Sequence, residues 1–196
     1  MSEQLPKGMD IIVPVFSGEG AVRKCLEALF ASDAEQVADV ILVNDASPEP
    51  AISSYLRQWA DRPGVTLLAH EENKGFVESV NEATRIHPDR DFVILNADTE
   101  VSSDWLQRLL AHADSDSRVA TVTPVSNNAT IASYPRMGVE NELPSGMDTA
   151  TLDAIFARLN EAESVGIPTG VGFCMWLRRA AWTAAGGFDE TFGRGY

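Results

Sequence analysis

The chain has 196 residues, 44% hydrophobic and 22% charged, with 15 basic against 29 acidic residues and a net charge of −14. That size and balance fit a single globular domain, residues 1–196, with a sizeable core, and the acidity excludes non-specific nucleic-acid binding, which needs concentrated positive charge. Cys25 and Cys174 lie far apart without a Cys-x-x-Cys pair, which disfavours structural zinc and a disulfide framework and fits a reducing cytoplasm; residues 1–10 carry no apolar leader segment.

The first predicted element, Met9-Asp10-Ile11-Ile12-Val13-Pro14-Val15-Phe16, is a β-branched run that breaks at Ser17-Gly18 and reads as a strand. Pro14 has no amide hydrogen and belongs near the strand end. Val22, Cys25, Leu26, Leu29 and Phe30 then form the stripe of an amphipathic helix, which makes Cys25 a core residue. Between the two, Gly18-x-Gly20-x-x-Arg23 imitates a dinucleotide-binding turn. Arg23 stands where a third glycine would permit close helix–strand packing, so a dehydrogenase is not expected.

Val40-Ile41-Leu42-Val43-Asn44-Asp45 is a second buried strand ending in an acid, followed by a turn at Ala46-Ser47-Pro48. Asp45 has two readings at this point: an acceptor for a nucleoside's donors, or a helix cap together with Ser47. Ile52, Tyr55, Leu56 and Trp59 mark a second helix, and residues 65–69 a third strand. In the loop His70-Glu71-Glu72-Asn73-Lys74-Gly75-Phe76, Gly75 allows close backbone approach and Lys74 offers a point charge to phosphate. A helix from Phe76 carries Val80, Ala83 and Ile86 up to the stop at Pro88.

Asp91-Phe92-Val93-Ile94-Leu95-Asn96-Ala97-Asp98 is an apolar run ending in a polar cluster, the pattern of a strand buried on both faces of a parallel sheet. Open α/β sheets keep ligand sites at the carboxyl ends of such strands. There Asn96 and Asp98 can offer an amide oxygen and a carboxylate to one hard cation able to grip a diphosphate; the competing reading is a cap or a solvated loop.

Ser102 or Ser103 is expected to cap a helix containing Trp105, Leu106, Leu109 and Leu110, and residues 119–124 form another strand. Residues 125–150 are a long polar connection, of a length uncommon unless functional or mobile. Leu152, Ile155, Phe156 and Leu159 mark a helix, residues 169–178 a strand after a Gly-rich approach, and residues 179–185 a short helix ended by Gly186-Gly187. The succession of β-then-α units predicts an α/β fold, a mostly parallel sheet with helices on both faces.

Five segments in order resemble the family 2 glycosyltransferases of GT-A fold, a Rossmann-like nucleotide-binding architecture: Ile12-Val13-Pro14-Val15-Phe16, Val43-Asn44-Asp45-Ala46-Ser47, Asn73-Lys74-Gly75-Phe76 with Asn81-Glu82-Ala83, Leu95-Asn96-Ala97-Asp98, and Gly186-Gly187-Phe188-Asp189-Glu190-Thr191-Phe192. Ser126-Asn127-Asn128-Ala129-Thr130 is similar to a segment of members resembling rhamnosyltransferases and other cell-surface polysaccharide enzymes.

The resemblance implies an inverting transferase moving a sugar from a nucleoside diphosphate (UDP, dTDP or GDP) to a saccharide or lipid-linked acceptor, in the cytoplasm or at the inner membrane face. It further implies that Pro14, Val15 and Phe16 border the donor's base and Asp45 its base or ribose. Asp98 would bind Mn²⁺ or Mg²⁺ as the last acid of an Asp-x-Asp, with Asn96 replacing the first acid and removing one negative charge. Asp189 and Glu190 would shape the acceptor side, as would the 125–150 loop. The general base is expected in an acidic pair beyond Tyr196, so the chain reads as C-terminally incomplete. A sugar-phosphate nucleotidyltransferase and a non-catalytic nucleotide-binding module are the alternatives; the former would want a basic loop where Ser17-Gly18-Glu19-Gly20 is acidic.

Overall fold

The computed structural model describes residues 8–160 and 163–193. Residues 1–7 and 194–196, which hold most of the polar lead and the close of the chain read above, lie outside the described residues. The described strands are β1 (Met9–Val15), β2 (Ala38–Asn44), β3 (Val65–Ala69), β4 (Asp91–Leu95), β5 (Thr121–Val122) and β6 (Cys174–Leu177), in the sheet order β3-β2-β1-β4-β6-β5. β1 to β4 run parallel, β6 is antiparallel to β4, and β5 is antiparallel to β6.

Strand alternation divides the core in two. Ile11, Val13, Val40, Leu42, Val93, Leu95 and Trp176 face helices α1 (Glu19–Ala31), α2 (Pro50–Ala60) and α4 (Trp105–Asp114). Ile12, Ile41, Val43, Phe92, Ile94 and Met175 face α3 (Phe76–Ala83) and α6 (Arg179–Ala185), through Val80, Ala83 and Trp182. Both faces are therefore covered, as the runs without polar alternation in β2 and β4 predict. Cys25 is fully buried among the first set.

Several boundaries differ from the sequence reading. The strand expected over residues 169–178 is ordered as a ladder only at Cys174–Leu177, because the Gly-rich approach serves close packing instead: a Cβ on Gly170 would collide with the Met175 sulfur. β5 keeps two residues, as only Thr121 and Val122 find partners on the short β6. α4 starts after Asp104, and neither serine caps it, since the Ser103 carbonyl accepts from the Asp33 amide and the Ser102 hydroxyl from Arg108. α5 (Thr149–Asn160) forms as expected, yet none of its residues is buried and Leu159 is 72% exposed. The 125–150 connection is organised around Asn141, which is 4% exposed and whose amide group bonds the carbonyls of Asn127, Arg136 and Val139.

At the amino ends of β1 and β2 the buried Asp10 accepts from His87 at 2.9 Å and from Arg90 at 3.1 Å, and Arg90 also reaches Asp39 at 2.7 Å. Burial pushes the Asp10 carboxyl above the usual range, against the pull of His87 and Arg90. Removing a partner from a buried carboxylate leaves its charge uncompensated, so Arg90→Ala should cost about 3 kcal/mol in urea unfolding. A loss below about 1 kcal/mol, the scale of an exposed pair, would mean that the guanidinium contributes little there.

Candidate active site

The chain runs outward from β1 to β2 and β3, then returns to place β4 on the other side of β1. Such a reversal opens a crevice at the carboxyl ends of the flanking strands. The residues leaving β1, β2 and β4 are Phe16, Asp45 and Asn96 to Asp98, so the parallel register brings these sequence-predicted residues to one sheet edge. Phe16 is 44% exposed there, while Val15 is buried and Pro14 half-buried.

The turn into α1 does not leave its amides for a ligand. Gly18 N–H donates to Glu49 Oε1 at 2.7 Å and Glu19 N–H faces Oε2 at 3.3 Å. A side-chain carboxylate thus fills the helix N-terminus where a dinucleotide's pyrophosphate would sit, which agrees with the bulk of Arg23 in excluding that use.

Asp45 is 4% exposed and does not cap α2. Its Oδ1 accepts from the Lys74 N–H and from His70 Nδ1, both at 2.8 Å, and its Oδ2 accepts from the Gly75 N–H at 2.7 Å. Gly75 takes φ +85°, a conformation open to glycine, which lets the loop turn its amides onto the carboxylate. The Lys74 ammonium lies 2.8 Å from Glu82 and 3.5 Å from Glu78 on α3. The hydrogen bond to Glu82 raises the Lys74 pKa and holds the Glu82 carboxyl below its usual range. Its charge is thus directed to α3, not free toward phosphate.

At the end of β4 the backbone is fixed while the side chains stay open. Asn96 N–H donates to the Phe173 carbonyl at 2.7 Å, and the Asn96 carbonyl accepts from Thr99 N–H at 3.1 Å and from the Cys25 thiol at 3.4 Å. Burial pushes that thiol up to about 12, which makes it a poor nucleophile. Asp98 is exposed, and no described residue forms a side-chain hydrogen bond or ion pair with Asn96 or Asp98. An amide oxygen and a carboxylate without competing partners fit a hard divalent cation.

A second group with metal-ligand chemistry, Asp10, Asp39 and His87, has its ligand atoms within 4.8 Å of one another. It sits at the opposite, amino-terminal edge of the sheet, and the Arg90 guanidinium already bridges both carboxylates. We therefore read it as an ion-pair knot.

The segment from Gly186 to Phe192 is tied to α3 by Asn81, whose Oδ1 accepts from the Phe188 N–H at 3.0 Å and whose Nδ2 donates to the Phe188 carbonyl at 2.9 Å and to Glu190 Oε1 at 3.4 Å. Gly187 has φ +84°, and a Cβ there would stand 3.1 Å from Asn81 Oδ1. Asp189 is exposed and accepts from Thr191 N–H at 2.9 Å, which holds its carboxyl below the usual range. A cavity of about 130 Å³ is lined by Lys74, Val77, Glu78, Glu190 and Gly193, so the Lys74 loop and Glu190 share one opening. A larger groove of about 490 Å³ runs between Lys24 and Ser32 on one side and Glu100, Ser103, Leu143 and Asp148 on the other. The sequence reading gave no role to His70 or Glu49, for which only their position beside a strand end and a turn signals one, and held Glu82 only as part of the Asn81-Glu82-Ala83 segment.

A family model described as glycosyl transferase family 2 matches residues 10–183. Human polypeptide N-acetylgalactosaminyltransferase 14 is 29% identical over 112 residues, which are 57% of this chain and 20% of that protein. Among solved structures, the Pyrobaculum calidifontis mannosyltransferase PcManGT, in complex with GDP-Man and Mn²⁺, superposes with TM-score 0.65 at 20% identity over 95% of this chain and 50% of that one. S. aureus TarS in complex with UDP gives TM-score 0.64 at 18% identity over 94% of this chain and 51% of that one. These structural likenesses establish the GT-A fold, and the chain spans about half, or less, of the length of the proteins it matches.

Asn81→Ala should leave the Phe188 N–H and carbonyl unpaired and free the Gly187 turn, a loss of about 1–3 kcal/mol. Urea unfolding checks the magnitude, and amide exchange at Phe188 should accelerate before that of β1. Unchanged exchange at Phe188 would show that the segment is held by its aromatic contacts with Phe76 and Trp182.

Proposed function

The chain belongs to glycosyl transferase family 2, and we propose that it binds the nucleotide-sugar donor of an inverting transferase. The arrival of Phe16, Asp45, Asn96 and Asp98 at one sheet edge, at the strand-order reversal, is the observation that carries this reading. Pro14, Val15 and Phe16 border the base, and Asp45, fixed by the Lys74–Gly75 amides, meets base or ribose. Lys74 and Gly75 act here through the backbone.

Asn96 and Asp98 would hold Mn²⁺ or Mg²⁺, and a bound ion supplies Lewis-acid stabilisation to the departing diphosphate. The protein's net charge of −14 opposes an anionic donor, so the cation held by Asn96 and Asp98 would have to offset it. Asp189, Glu190 and the 125–150 loop form the acceptor side, consistent with the cavity shared by Lys74 and Glu190. Direct displacement needs a carboxylate to take the acceptor hydroxyl's proton. We assign that role to the acidic pair that follows the Gly-Phe-Asp-Glu-x-Phe segment in the family, and to no described residue.

The acceptor is a saccharide or lipid-linked saccharide of cell-surface polysaccharide synthesis, a reading supported by the Ser126-Asn127-Asn128-Ala129-Thr130 segment. We place the enzyme in the cytoplasm, at the inner membrane face for a lipid-linked acceptor; the buried, unpaired Cys25 and Cys174 are compatible with a reducing compartment. No described helix is long and apolar enough to cross a membrane. A nucleotidyltransferase is disfavoured because Glu49 occupies the Gly18 and Glu19 amides, the place for a phosphate-binding loop.

Calorimetry with UDP, dTDP and GDP tests the reading. One of them should bind in the presence of Mn²⁺ and lose affinity with chelator. Asp98→Ala should weaken that binding by at least about tenfold, the scale seen even for residues supporting a metal ligand. Unaltered binding would remove Asp98 from the site.

A further inference from the structure

His70 leaves β3 directly into the crevice loop, and its side chain is 3% exposed. Nδ1 lies 2.8 Å from Asp45 Oδ1, and because an ionised carboxylate can only accept, that nitrogen carries the hydrogen. Nε2 is buried without a hydrogen-bond partner and stands 3.3 Å from Glu82 Oε2. The same Glu82 oxygen accepts from the Lys74 ammonium at 2.8 Å, and the Lys74 N–H returns to Asp45 Oδ1. The four residues close a ring through the ends of β2 and β3, the loop and α3.

We propose that His70 is a positioning residue of the donor site, acting through Asp45. This rests on the reading that Asp45 meets the nucleoside of the donor. His70 and the Lys74 N–H together use the acceptor capacity of Oδ1, while Oδ2 takes one hydrogen bond, from Gly75. A carboxylate oxygen has about two lone-pair sites. The imidazole therefore fixes the rotation of the carboxylate so that Oδ2 keeps the capacity for a ligand's N–H or O–H. The loop itself is held against α3, the helix that anchors the Glu190 segment through Asn81, by the Lys74 ammonium on Glu82. His70 touches no reacting atom in this scheme, so its loss belongs in donor affinity and not in the chemical step.

The test compares His70→Phe, which fills the space without a donor, with His70→Asn, whose amide can replace Nδ1–H, in the 196-residue chain. A hydrogen bond to a charged group corresponds to about 10–100-fold in affinity. His70→Phe should weaken nucleoside diphosphate binding by that factor, with His70→Asn within about threefold of the parent, less than the value of one ordinary hydrogen bond. Any donor-hydrolysis activity should show the change in KM, with kcat held. Parent-like binding by a folded His70→Phe, or a fall in kcat at constant KM, would overturn the proposal.

If His70→Phe fails to fold, His70→Gln takes its place: its longer amide cannot occupy the Nδ1 position, and binding equal to that of His70→Asn would overturn the proposal. Amide exchange at Lys74 and Gly75, measured without ligand, separates this inference from the functional reading. Accelerated exchange in His70→Phe but not in His70→Asn, in a parent that binds no nucleoside diphosphate, would sink the donor site while retaining His70's hold on Asp45. Unchanged exchange would sink that hold.

Discussion

A strand buried on both faces has no solvent side on which to carry polarity, and β1, β2 and β4 are all of this kind. Their polar residues are driven to the strand ends, and because the three run parallel, the ends collect into two edges. The amino edge holds the Asp10–His87–Arg90–Asp39 knot, in which charges satisfy one another. The carboxyl edge holds Asp45, Asn96 and Asp98. Of these, Asp45 is oriented by two amides and an imidazole that leave Oδ2 with a single hydrogen bond, whereas Asn96 and Asp98 have no described side-chain partner. We read the difference between the edges as functional: one consumes its polarity in stability, and in the proposed site the other keeps part of it for a ligand.

α3 braces the loop beside this edge. This eight-residue helix carries Glu82 toward His70 and Lys74, and Asn81 toward Phe188. The Lys74 loop and the Phe188 segment, more than a hundred residues apart in sequence, are therefore anchored to adjacent positions of one short helix. The acidic surroundings of Lys74 also explain why its ammonium is not available to phosphate: two glutamates compete for it at contact distance.

Most of the fold was legible because buried parallel strands and amphipathic helices write their periodicity into the chain. The runs at residues 40–45 and 91–95 and the stripe from Val22 to Leu29 all fell where the pattern put them. Short antiparallel pairing was less legible: β5 and β6 depend on each other's length, and Gly170 packs against Met175 for reasons set by tertiary contact. The places of Asp45 and Asp98 could be read from strand ends. The partners of Asp45 could not, since His70, Lys74 and Gly75 reach it across a gap of 25 to 30 residues. Glu49's occupation of the α1 amides was equally hidden, because no local pattern links it to Gly18.

The central claim is that chemistry belongs to the carboxyl edge of the sheet and not to the amino edge, although both carry acidic side chains. Crystals grown with Mn²⁺ and a nucleoside diphosphate, with anomalous differences collected at the manganese absorption edge, decide this directly. The account predicts an anomalous peak beside Asp98 and Asn96, with the diphosphate against it and the nucleoside near Asp45. A peak among Asp10, Asp39 and His87, or nucleotide bound with no metal near Asp98, would contradict it.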